Sequence, residues 1–174
     1  IRREAETLVA NGFAVQCLTP RNGNSRSRFL VSGVEVVEVG GSKYRGKNPL
    51  VYLASYVGFL LHAFLKCTRA SLKSEADVFH VHNMPNFLVF SALIPRLAGR
   101  KLILDIHDNM PEVFATKFSR WAGLAFSVLK LEERASAFLP HAIICVNHPQ
   151  RDLLARHGIP AGKMSVSMNV PDPK

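Results

Sequence analysis

Lys101-Leu-Ile-Leu-Asp-Ile-His-Asp108 is apolar through most of its length and then ends on two polar residues. Asp77-Val-Phe-His-Val-His-Asn83 and Ala142-Ile-Ile-Cys-Val-Asn147 repeat the design, and Met164–Asn169 also ends on asparagine. Helical segments separate these runs. An all-round apolar helix is expected near 86–98, and a helical region between Ser119 and Leu139. A further helix is expected over Pro149–His157, with proline at its start and Gly158 after its end. Unbroken apolar strands alternating with helices predict a parallel sheet covered on both faces. The fold expected is α/β, a doubly wound, mostly parallel, Rossmann-like sheet.

Upstream the pattern is looser. Ile1, Ala5, Leu8 and Val9 already sit at helical spacing with no capping residue before them, which reads as entry partway through a helix. That helix stops at Asn11-Gly12. A strand is expected from Ala14, ended by Pro20, and residues 21–33 read as a polar loop. Val34 to Val39 mixes valine with glutamate and reads as a strand nearer the sheet edge. Residues 49–65 carry no charge, but a run of about 17 residues is at the lower limit for crossing a bilayer. Tyr52, Ser55, Tyr56, His62, Lys66, Arg69 and Lys73 fall along one helical stripe, so the expectation is an amphipathic helix lying on a core. A chain of 174 residues supports one well-buried domain.

A net charge of +9 points to an anionic partner. The basic residues stand in small groups (Arg21/Arg26/Arg28, Lys43/Arg45/Lys47, Lys66/Arg69/Lys73, Arg96/Arg100/Lys101) and not on one recognition helix. That argues against nucleic acid and suits an anionic membrane surface or a phosphorylated acceptor. Three widely spaced cysteines, Cys17, Cys67 and Cys145, imply a reducing compartment.

In open α/β sheets ligands bind beyond the carboxyl ends of the strands. Four strand ends carrying Asn83, His107-Asp108, Asn147 and Asn169 therefore read as a site. His80 and His82 share a strand face, as do Asp105 and His107. A metal needs three or four convergent ligands, and no cysteine or carboxylate pair adds zinc-like spacing. These histidines are therefore expected to be hydrogen-bonded core or site-edge residues, with no metal. Gly41-Ser-Lys-Tyr-Arg-Gly-Lys-Asn48 matches a phosphate-binding loop except that Asn48 replaces the magnesium-holding hydroxyl. A P-loop-like nucleotide-binding protein is thus an alternative, and a non-catalytic ligand-binding α/β module is another.

Together these segments resemble family 4 glycosyltransferases. Ile1-Arg-Arg-Glu-Ala-Glu-Thr-Leu8 with Asn11-Gly-Phe-Ala-Val15 is similar to the family's first helix and second strand. Asp77 to Phe87, Ile103-Leu-Asp-Ile-His-Asp108 and Met110-Pro-Glu112 resemble a bacterial branch acting in surface-polysaccharide assembly. Met168-Asn-Val-Pro-Asp-Pro173 is similar to the family's crossing into a second domain. The resemblance implies the N-terminal, acceptor-binding half of a GT-B, retaining, metal-independent enzyme without cofactor, here a half that lacks the family's first strand. Sugar would pass from a nucleotide-sugar donor, held by a C-terminal domain absent from this chain, to a glycan or lipid-linked glycan acceptor. It implies a cytoplasmic place, peripheral on the inner face of the plasma membrane. It puts His107 on the family's active-site histidine with Asp108 beside it as the catalytic candidates. Asn83, Glu112, Asn147 and Asn169 are the implied substrate-binding candidates.

Overall fold

The computed structural model describes residues 2–21, 28–42, 49–83, 85–108 and 122–168, which fall into two compact units, Ile1–Lys66 and Cys67–Lys174. Glu112, Asn169, the Met110–Glu112 segment and all but Gly41 and Ser42 of the phosphate-loop-like segment lie outside the described residues.

In the first unit, α1 (Arg2–Ala10) is followed by strands β1 (Gln16–Arg21), β2 (Arg28–Val31) and β3 (Val34–Ser42). Their order is β1-β3-β2, with β1 parallel and β2 antiparallel to β3. The valine- and glutamate-bearing strand is therefore central, not nearer the edge. Glu35 is tolerated there because it is paired on both sides: Gln16 Nε2 donates to one carboxylate oxygen at 2.6 Å, and Arg28 Nε donates to the other. The Arg28 hydrogen bond, with that of Gln16, holds the Glu35 carboxyl below its ordinary range. The expected loop 21–33 contains a strand because Ser32 and Gly33 both take positive φ, 50° and 80°. That is the requirement of a two-residue hairpin turn whose twist matches the flanking strands. An added Cβ on Gly33 would meet Val9 Cγ1 of α1 at 2.8 Å, so glycine also lets α1 approach the turn.

Helix α2 (Pro49–Leu72) runs to the start of the second unit. No helix among the described residues is long and apolar enough to cross a membrane.

The second unit holds β4 (Val78–His82), a 3-10 helix (Asn86–Ala92), α3 (Leu93–Leu97), β5 (Lys101–Ile106), α4 (Ala122–Phe138), β6 (Ala142–Cys145), α5 (His148–Arg156) and β7 (Met164–Val166). The four strands form a fully parallel sheet in the order β4-β5-β6-β7, giving the α/β, Rossmann-like half expected. The helix expected near 86–98 is instead 3-10 up to Ala92 and α-helical only from Leu93. Pro95 has no N–H to close the α-type bond onto Ser91, so one continuous α-helix is blocked. Strand β5 lies at the centre of the core: Leu102, Leu104 and Ile106 are almost wholly buried, beside Phe79, Val89, Ile143, Cys145 and Leu154. Each such side chain contributes roughly 1.5–3 kcal/mol, which fixes the strand from whose end the site projects.

Candidate active site

His107 and Asp108 follow the last residue of β5, one and two positions past the end of the ladder, and not within the strand as expected. Strand β4 ends at His82, whose register partner in β5 is Asp105. Parallel pairing thus sets His82 beside Asp105, and alternation along the chain returns His107 to the same face. His82 Nδ1 lies 3.0 Å from Asp105 Oδ2, and His107 Nε2 lies 3.2 Å from that same oxygen. The two ring nitrogens are 3.3 Å apart. The His80 and His82 rings stack at 4.5 Å between centroids, and those of His82 and His107 at 5.6 Å. The strand-face pairs read from the sequence are therefore one constellation at the edge of the sheet.

Burial alone raises the Asp105 carboxyl. The His82 hydrogen bond and the neighbouring histidine charges outweigh it and hold the group below its ordinary 3.8. Asp105 is therefore a carboxylate, and one that turns His107 Nε2 toward the protein. The imidazole's other nitrogen, Nδ1, is left for a different partner.

Asn83 sits behind this group, 8% exposed. Its Oδ1 accepts the backbone N–H of His107 at 2.8 Å, and its Nδ2 donates to the Asp108 carbonyl at 2.8 Å and to Asn86 Oδ1 at 2.9 Å. Its own N–H donates to the Asp105 carbonyl at 2.8 Å, continuing the β4–β5 ladder past His82. Asn86 in turn donates to Glu132 of α4 at 3.4 Å, and Ser136 Oγ donates to the same carboxylate at 3.0 Å. The side chain of Asn83 thus fixes the loop that carries the two catalytic candidates.

Asn147 is exposed and caps α5: its Oδ1 accepts the Gln150 N–H at 2.8 Å, a bond typically worth about 1 kcal/mol. Gln150 Oε1 accepts the Val146 N–H at 2.8 Å, which tightens the β6–α5 turn. Between this turn and the end of β5 lies an open cleft of about 420 Å³. His107, Asp108, Asn147, Gln150 and Arg156 line it. Of the expected site residues, His107, Asp108 and Asn147 meet in the cleft and Asn83 supports them from behind. His82, expected as a hydrogen-bonded core or site-edge histidine, is hydrogen-bonded to Asp105; Asp105 was assigned no role, although the period-two spacing that placed it on the His107 face was the available signal. Arg156 had no signal.

The family model described as a Glycosyl transferase 4-like domain matches residues 1–169. No curated protein matches the chain.

Proposed function

The chain belongs to the glycosyl transferase 4-like family, and we propose that it is the acceptor-binding half of a retaining, GT-B-type glycosyltransferase. In this reading a sugar passes from a nucleotide-sugar donor, held by a second domain, to a glycan or lipid-linked glycan of a polysaccharide pathway. The observation that carries it is the placement of His107 and Asp108 in an open cleft at the carboxyl end of the parallel sheet. That is where α/β sheets bind ligands. His107 would contact the reacting sugars through the nitrogen that Asp105 does not engage. Asp108, exposed beside it, would accept a hydrogen bond from a sugar hydroxyl.

Such a contact, when made best in the transition state, is commonly worth ~2–4 kcal/mol, or about 30- to 1000-fold in rate. The test is sugar transfer by the chain joined to its donor-binding domain, comparing wild type with His107→Ala and His107→Asn at matched thermal stability. A large fall in turnover with unchanged unfolding is expected for both. Full activity in both variants would remove His107 from the chemistry.

A further inference from the structure

We propose that Arg156 binds an acidic group of the acceptor, a phosphoryl or carboxylate substituent set apart from the reacting hydroxyl. Ile106 of β5 pairs with Cys145 of β6, so His107 and Val146 leave the sheet side by side, and the catalytic candidates stand at the start of α5. Asn147, Gln150, Leu153 and Arg156 then follow at steps of three, one stripe of that helix, and all of them line the cleft. About 13 Å of helix axis separate the first from the last. Helical side chains lean toward the N-terminus, which brings an arginine in the last turn back along that wall.

The cleft changes character along this wall. His107, Asp108 and Asn147 offer hydrogen bonds at one end, half-buried Leu153 adds an apolar step, and the exposed Arg156 closes the series. Among the described residues no carboxylate pairs with Arg156. Asp152 is held by Arg151 Nε and Nη2 at 3.1 and 2.9 Å, and Glu133 by His157 at 2.6 Å. A last-turn cation also answers the negative end of the helix dipole, but any basic side chain on the last turn would do so. An arginine in a cleft adds a planar fork of donors that matches carboxylate or phosphate oxygens, and a neutral sugar would leave its charge unanswered. Asp108 repels an anion from the other end. The two charges therefore orient the ligand, hydroxyl toward Asp108 and acid toward Arg156.

This inference rests on reading the cleft as the acceptor site, but its test reads binding to the chain alone and not sugar transfer, so either can fail without the other. The experiment titrates the isotope-labelled chain, at fixed ionic strength, with inorganic phosphate, with glucuronate and with glucose. NMR follows the Arg156 Nε–H and the backbone amides of α5. Saturable shifts are expected with at least one of the two anions, and the tighter anion names the source of the acid. Glucose should bind more weakly than glucuronate. Arg156→Gln should weaken anion binding by at least about fivefold, while Arg151→Gln, which removes an equal charge from the same helix, leaves it unchanged. If Arg156→Gln misfolds, the wild-type Nε–H shift decides the matter. The proposal is overturned if neither anion shifts that resonance saturably, if glucose binds as tightly as glucuronate, or if the two arginine variants weaken binding equally.

Discussion

The Asn83 side-chain oxygen accepts the His107 backbone N–H at 2.8 Å, so the residue that ends one strand sets the backbone from which the next strand's histidine projects. The same amide donates to the Asp108 carbonyl and to Asn86, which links the network onward to Glu132 on α4. A reactive side chain on a loop is only as well placed as its backbone. Here the placement comes from a buried asparagine with oxygen and nitrogen both engaged.

Asn83→Ala should therefore cost more than its volume. It removes the partners of the His107 N–H, the Asp108 carbonyl and the Asn86 amide oxygen at a buried site, a penalty of roughly 1–3 kcal/mol. Urea unfolding reads that loss. Sugar transfer by the enzyme carrying the variant should fall through turnover more than through acceptor KM, since the histidine is displaced and not removed. Wild-type turnover in a destabilised Asn83→Ala protein would show that the loop holds its shape by other means.

Glu132 predicts a pH dependence. Burial, opposed by the Ser136 and Asn86 hydrogen bonds, raises its carboxyl above the ordinary 4.5. The folded state then binds this proton more tightly than the unfolded one. Stability from the group is complete below about 4.5 and is lost as pH rises through the folded value. Relative to Glu132→Gln, the wild-type chain should lose stability between pH 4.5 and the folded value and hold a constant difference above it. Urea midpoints measured across that range check the sign; a wild type that gains on the variant as pH rises would contradict it.

The sheet edge was legible because strand chemistry changes there: Leu102, Ile103, Leu104 and Ile106 make most of β5 apolar, and His107 and Asp108 end the pattern. Spacing by two put Asp105 and His107 on one face, but only the β4–β5 register could bring His82 onto the same oxygen. Register is a tertiary property with no local signature when both strands are equally apolar. The hairpin at Ser32-Gly33 was hidden differently. Its turn is two residues long, and β2 has only four, inside a stretch whose arginines and serines read as loop.

Glu133 and His157 form the most buried carboxyl–imidazole hydrogen bond among the described residues, at 2.6 Å with side chains 1% and 6% exposed. The pair ties α4 to the residue that ends α5. Removing one partner takes a buried hydrogen bond from the other, which typically costs about 1–3 kcal/mol. His157→Ala should lower the unfolding free energy by about that much. The double variant Glu133→Leu/His157→Leu should recover much of it, since apolar replacement of a buried pair is often near neutral. Differential scanning calorimetry on both variants distinguishes the two outcomes. Equal destabilisation by the single and double changes would mean the cost is packing and not the stranded partner.

Helix α2 bears on the expectation of a peripheral place at an anionic membrane, which we carry forward as a proposal. The stripe expected to be polar is only partly so: Ser55 and Tyr56 are half-buried, while Leu61 and Leu65 stand 58% and 67% exposed beside His62 and Lys66. Val51, Val57 and Leu72 extend the exposed apolar series along the same helix, with Arg69 among them. Exposed leucines next to lysine and arginine on one helix favour the proposal that it lies in an anionic interface. Liposome flotation should then show binding to vesicles with anionic lipid that weakens as salt rises. Each basic side chain near the surface is worth about 1 kcal/mol, so Lys66→Glu or Arg69→Glu should cut binding at least about fivefold. Leu61→Ser with Leu65→Ser should reduce binding without changing its salt dependence, because those residues contribute buried apolar area and not charge. Equal affinity for neutral and anionic vesicles would dismiss the electrostatic half of this account, and no binding to either would dismiss all of it.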